Sequence, residues 1–150
     1  MNEEAKKRAL RLLDKRDYSR KMLIDKLTEK GASPEDAAEV ADWLCGIGVV
    51  DDKRYAGLVV RHYAGKGYGT RRIREELFRR GIDPELRDAA LAQLPSADDT
   101  VYRLLKNKLR GSSAPEDLRR AQDALLRRGF SRSEVRAAVE HYLAQTEDTE

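Results

Sequence analysis

His62, His141 and Cys45 are the residues best suited to acid–base, nucleophilic or metal chemistry in this chain. Neither histidine has a cysteine or a second histidine at metal-ligand spacing. Each stands beside a tyrosine at a helical position, where packing or solvent exposure is the ordinary role. Cys45, between Leu44 and the Gly46-Ile47 pair, reads as a packed thiol. The acidic pairs Asp51-Asp52 and Asp98-Asp99 fall where helices begin, and there a carboxylate favours the positive end of the helix dipole. Gly65-Lys66-Gly67-Tyr68-Gly69 has the glycines of a phosphate loop. It lacks both the preceding strand and the Gly-Lys-Ser/Thr ending that cradles phosphate and magnesium. The expectation is a protein that is not an enzyme and that holds no metal or cofactor.

Binding chemistry is better represented. Lys21, Arg71 and Arg119 stand at one place, ten residues before the glycines Gly31, Gly81 and Gly129. Arg72 and Arg120 follow them, and Arg79-Arg80 matches Arg127-Arg128 just before the glycine. The middle copy is the densest, with Arg61, Lys66, Arg71, Arg72, Arg74, Arg79 and Arg80 against Glu75 and Glu76. On a helix, residues 71, 74 and 78 share one side, and 72, 76, 79 and 80 another. Arginines beside a glycine-rich loop bearing Tyr68 suit phosphate contacts, with the ring available to stack or to bond. The candidate binding residues are therefore Lys66, Tyr68, Arg71, Arg72, Arg74, Arg79 and Arg80, with Lys21, Arg119 and Arg120 in the flanking copies. A solvated, internally paired face, or a groove for an acidic protein, would use the same residue types.

These residues must be carried by helices. Leu27-Thr28-Glu29-Lys30-Gly31-Ala32-Ser33-Pro34 recurs as Leu77-Phe78-Arg79-Arg80-Gly81-Ile82-Asp83-Pro84 and again as Leu125-Leu126-Arg127-Arg128-Gly129-Phe130-Ser131-Arg132. Each copy is a helix stop followed by a helix start. The glycine takes the left-handed conformation that closes a helix, Ser or Asp caps the next one, and Pro34 and Pro84 sit at first helical positions. Ser131 with Glu134 makes a capping box. A third helix precedes each hairpin: Ala5, Ala9, Leu12 and Leu13 in the first copy, Tyr55, Val59, His62 and Tyr63 in the second, and Val101, Leu104, Leu105 and Leu109 in the third. After the hairpins Val40, Ala41 and Leu44 correspond to Ala90, Leu91 and Leu94, and to Ala138, Val139 and Tyr142. These are the apolar faces of amphipathic helices, and no alternating strand pattern competes with them.

The fold class expected is all-α: three tandem three-helix repeats over 1–48, 49–95 and 96–145, stacked as an extended, curved array, with a frayed tail at 146–150. With 38% charged residues and only 6% aromatic, the composition suits thin helical layers better than one thick core. The net charge of +3 is too small to identify a partner; local concentration of charge matters more. One cysteine permits no intrachain disulfide. No apolar stretch reads as a signal peptide or membrane span, so a cytoplasmic protein is expected.

The sequence resembles the RecX recombination regulators. The likeness is carried by Leu10-Arg11-Leu12-Leu13-Asp14-Lys15-Arg16-Asp17-Tyr18-Ser19, Leu27 to Gly31, and Val50-Asp51-Asp52-Lys53-Arg54-Tyr55-Ala56. It continues through Lys66-Gly67-Tyr68-Gly69-Thr70-Arg71-Arg72-Ile73-Arg74-Glu75-Glu76-Leu77, Arg79 to Ile82, and Leu125 to Phe130. The first helix of the third copy, around Tyr102 to Leu109, is less typical, and Tyr55 stands where phenylalanine is more usual. The resemblance implies a protein that binds RecA and the RecA–DNA filament and most often inhibits filament extension, ATPase and strand exchange; a monomer is expected. It also implies contact with single- and double-stranded DNA. Two other functions fit the residues alone: an independent DNA-binding helical-repeat protein, since hairpins with a basic second helix mimic helix-turn-helix units, and a helical-repeat adaptor for another acidic protein.

Overall fold

The computed structural model describes residues 1–148. Among them the chain forms nine helices and no strand: α1 (Glu3–Lys15), α2 (Arg20–Glu29), α3 (Pro34–Gly46), α4 (Asp52–Gly65), α5 (Thr70–Arg79), α6 (Pro84–Ala92), α7 (Asp98–Leu109), α8 (Pro115–Arg127) and α9 (Arg132–Asp148). Three helices fall in each repeat, so the all-helical repeat organisation stands. α9 extends past residue 145 to Asp148, and Thr146 donates its hydroxyl to the Tyr142 carbonyl. Residues 146–148 of the expected tail are thus helical, and 149–150 lie outside the described residues.

The three glycine corners share one geometry. At the first, the Gly31 amide donates to Thr28 and the Ala32 amide to Leu27, a Schellman closure that satisfies two carbonyls at the helix end. The same pair of bonds recurs as Gly81 to Phe78 with Ile82 to Leu77, and as Gly129 to Leu126 with Phe130 to Leu125. Starts follow suit. Ser33 Oγ accepts from the Asp36 amide, and Ser131 and Glu134 accept reciprocally from each other's amides. Asp51 accepts from the Arg54 amide, whereas Asp52 reaches away from its own helix to the Arg20 amide at the start of α2.

Two apolar clusters lie at the ends of the chain. In the first repeat Leu23, Leu27, Val40, Ala41 and Leu44 are sealed against Ala5 and Ala9, whose small side chains let α1 sit close. In the third, Val101, Leu105, Leu109, Leu125, Phe130, Val135, Ala138 and Tyr142 do the same, and the Tyr142 hydroxyl donates to the Ser112 carbonyl. Each fully buried Leu contributes about 2 kcal/mol. The face of α4 expected to be buried needs one correction. Tyr55 and Val59 are buried together with Ala56 and Val60, but His62 is exposed and Tyr63 only half-buried. His62 carries a polar ring where the first repeat has Leu12, and it stays at the surface.

Compact units do not follow the repeat boundaries. One unit comprises Met1–Val59 with Glu76–Ala90, and the other Val60–Glu75 with the chain from Leu91 onward. The middle repeat is divided because its parts are tied to different neighbours. In the first unit, Ser19 Oγ donates to the Arg80 carbonyl, and the Lys21 stem lies on Gly81. In the second, the Gly69 amide donates to the Arg128 carbonyl at 2.8 Å and the Arg71 amide to Gly129 at 3.2 Å. The opening turn of each middle helix therefore docks on the glycine corner of the next repeat.

Candidate cationic interface

In the second unit, α4 closes on Gly67, which has φ +84°, and Gly69 then meets the corner between α8 and α9. A Cβ on Gly69 would lie 2.4 Å from the Gly129 carbonyl carbon and the Phe130 nitrogen, so only glycine permits this approach. The backbone seating fixes Tyr68. Its ring is faced by the Arg72 guanidinium at 5.5 Å and the Arg128 guanidinium at 5.3 Å, and meets Tyr63 edge-on at 5.8 Å. Arg128 also donates to the Lys66 and Gly67 carbonyls at 3.2 and 3.3 Å, at the negative end of the α4 dipole. Arg72 Nε is buried with no hydrogen-bond partner among the described residues. Neither Arg72 nor Arg128 is paired with a carboxylate among the described residues. Two like charges thus face one ring, and neither is neutralised there.

Around this centre the other expected residues differ in freedom. Arg71 holds Glu75 at 2.9 Å and the Leu126 carbonyl at 2.9 Å, which joins α5 to the end of α8. Lys66 and Arg74 are exposed, and neither has an ion-pair partner among the described residues. Arg119 is likewise exposed without such a partner, whereas Arg120 pairs with Asp117. The Asp117 carboxyl is held below the usual range by the Ser112 hydroxyl and then by Arg120.

The remaining candidates lie in the first unit. Arg79, itself exposed, pairs with the buried Glu76 carboxylate at 3.3 Å, and Lys21 makes an exposed ion pair to Asp25 at 3.2 Å. Arg80 serves the interior: its guanidinium donates to Glu76 at 2.9 Å and to the Tyr55 hydroxyl. Glu76 is only 4% exposed, and an ionised carboxylate at that depth requires charged donors. Arg80 is thus a structural arginine in a basic run. Arg128 is the residue that the candidate set lacked. Its register with Arg80 was visible, but which of the two would meet Tyr68 depends on packing.

The histidines lie against tyrosine rings, and Cys45 is half-buried. His62 stacks edge-on Tyr63 at 5.2 Å and His141 on Tyr102 at 4.3 Å. Burial, then the charge of Asp52, pushes the Cys45 thiol up, opposite to the shift that activates a cysteine. Among the described residues no group of three or more His, Cys, Asp or Glu is placed to hold a metal ion. No described helix is long and apolar enough to cross a membrane.

Family models described as the first and second three-helix domains of RecX match residues 5–44 and 51–91. A regulatory protein RecX of Xanthomonas oryzae pv. oryzae is 43% identical over 135 residues, covering 88% of this chain and 84% of that protein. The chain belongs to the RecX family. Regulatory protein RecX of Stenotrophomonas maltophilia is 38% identical over 137 residues, covering 89% of this chain and 84% of its own length. Among solved structures, RecX from Lactobacillus salivarius shares the fold at a TM-score of 0.83 and 23% identity, over 93% of this chain and 94% of that one. Another regulatory protein RecX aligns at 0.82 and 25% identity, over 91% and 72%. The second RecX domain spans Tyr68, Arg71, Arg72 and Arg74. Arg119, Arg120 and Arg128 lie beyond both RecX domain matches, in the third repeat.

Proposed function

We propose that this chain regulates RecA by binding it and its filament on DNA, restraining filament extension, ATP turnover and strand exchange. Membership of a family of regulatory proteins supports the class of function. The observation that carries the surface is the Tyr68 ring with Arg72 and Arg128 over it; Lys66 on the same loop and Arg74 on another side of α5 are exposed and lack an ion-pair partner among the described residues. Such a patch attracts acidic side chains or phosphates, and both occur on a nucleoprotein filament.

The test is a titration of the purified chain into RecA's DNA-dependent ATPase and strand-exchange reactions. Lys66→Glu with Arg74→Glu is the variant of choice, because neither residue contributes an ion pair among the described residues. Inhibition should weaken at least about tenfold, since each reversed contact to a charged group is worth roughly 1.5–3 kcal/mol. The helical circular dichroism should not change. Undiminished inhibition by the double variant would remove this surface from the mechanism.

Direct DNA binding is the second reading, favoured by the same two arginines on one ring, an arrangement suited to a phosphate beside a stacked base. Steep salt dependence on naked DNA without any effect on RecA would select it.

A further inference from the structure

The two internal docking corners define a third that is unfilled. At Gly81 an added Cβ would lie 2.3 Å from Lys21 Cδ and 2.4 Å from its Cβ; at Gly129 it would lie 2.5 Å from the Arg72 nitrogen. Both corners are therefore occupied by the opening turn of a preceding helix, which also donates to the carbonyl just before the glycine. The first repeat has the same corner, with the same two closing bonds and φ +108° at Gly31, yet no described atom lies within 4 Å of the added Cβ. Its acceptor, the Lys30 carbonyl, instead takes a bond from the guanidinium of Arg8 on α1. Fifty residues on, the counterpart of Arg8 is Leu58, which cannot donate. A cavity of about 130 Å³ adjoins the corner, lined by Arg8, Leu27, Lys30, Gly31 and Ala32 together with the acids Glu4 and Asp36.

We propose that the Lys30–Gly31 corner is a docking site for the opening turn of a helix from a partner polypeptide, latched in the free chain by Arg8. The internal copies describe the ligand. Ser19 and Gly69 supply the donor to the corner carbonyl, and a basic residue follows two positions later, at Lys21 and Arg71. A Ser or Gly start with Lys or Arg two residues on would find Glu4 and Asp36 at the rim and the negative end of α2 beneath it. A second copy of this chain does not present such an end. Its first two middle helices are already docked, and in the third the matching position, twelve residues before the glycine, is Asp117. That residue lies inside α8, with its carboxylate turned back to Ser112 and Arg120. The inference stands apart from the RecA assignment, because it rests on the repeat geometry alone.

A fluorescein-labelled peptide of residues 66–79 carries the required features and is the probe, titrated by anisotropy against the chain of 150 residues. Arg8→Ala should bind it at least about tenfold more tightly than the unsubstituted chain, the equivalent of one competing bond from a charged donor. Adding Gly31→Ala to Arg8→Ala places a methyl where a docked turn must lie, and should weaken binding at least about tenfold. Gly111→Ala, at another positive-φ glycine in open space, controls for backbone strain and should leave affinity unchanged. Equal affinity for a scrambled peptide, no tightening with Arg8→Ala, or indifference to Gly31→Ala would each overturn the site. Sedimentation of Arg8→Ala as a dimer without peptide would overturn the assignment to a different polypeptide.

Discussion

Arg128 is placed over the Tyr68 ring at 5.3 Å while donating to the carbonyls of Lys66 and Gly67. One side chain of the third repeat thus closes a helix of the second and orients the aromatic residue of the candidate interface. Arg128→Ala should cost about 1–2 kcal/mol in urea unfolding, from the lost hydrogen bonds and stacking. Arg128→Lys should recover only part, since an ammonium is a point donor without a planar face. Full recovery by lysine would show that charge alone is required.

Gly69 is where two backbones meet. Gly69→Ala should destabilise by about 3 kcal/mol, because its Cβ would overlap the Gly129 carbonyl group and main chain has little room to relax. Gly111→Ala meets only open space at φ +87° and should cost about 1 kcal/mol of backbone strain. Similar losses for the two, measured side by side in urea, would contradict the close approach.

Arg80 and Glu76 should be coupled. Arg80→Met removes a charged donor from a carboxylate that is 4% exposed, and should cost about 3 kcal/mol. Adding Glu76→Gln removes the buried charge and should restore part of the loss. A double-mutant cycle is expected to show at least about 1 kcal/mol of coupling. Strict additivity would mean that the pair acts as exposed charges do.

Asp52 carries a pH signature. Burial raises the pKa of its carboxyl, Asp83 adds to the rise, and the bond from the Arg20 amide opposes it. The folded state then binds the proton more tightly than the unfolded chain does, so ionised Asp52 detracts from stability above its folded pKa. That cost fades as pH falls and is gone below the ordinary aspartate range, near about pH 4. Asp52→Asn keeps an oxygen for the Arg20 amide. It should raise the Tm at pH 7 and lose its advantage below about pH 4. A lower Tm at pH 7 would show that the ionised carboxylate is favoured in the fold.

The two arginines that begin the basic helix illustrate the limits of charge counting. Arg71 and Arg72 looked equivalent to Arg74, but Arg71 bonds the end of α8, and Arg72 is half-buried against Tyr68. Reversing their charge would disturb packing as well as any interface. Lys66 and Arg74 separate the two effects because their side chains are exposed and make no ion pair among the described residues.

Local chemistry determined the nine helices of the described residues, the glycine corners and the caps at Ser33 and Ser131, because each depends on residues close to one another in sequence. It also showed that the repeats carry matched basic residues. Tertiary structure alone decided how those cations are used, because Arg79 and Arg80, adjacent in sequence, both reach Glu76, one from an exposed position and the other from the interior, where it also bonds Tyr55. It decided, too, that Arg128 joins Tyr68 across some sixty residues of chain, and that Gly81 and Gly129 are covered while Gly31 is open. Identical local motifs differ only in what packs on them, and that is set by neighbours distant in sequence.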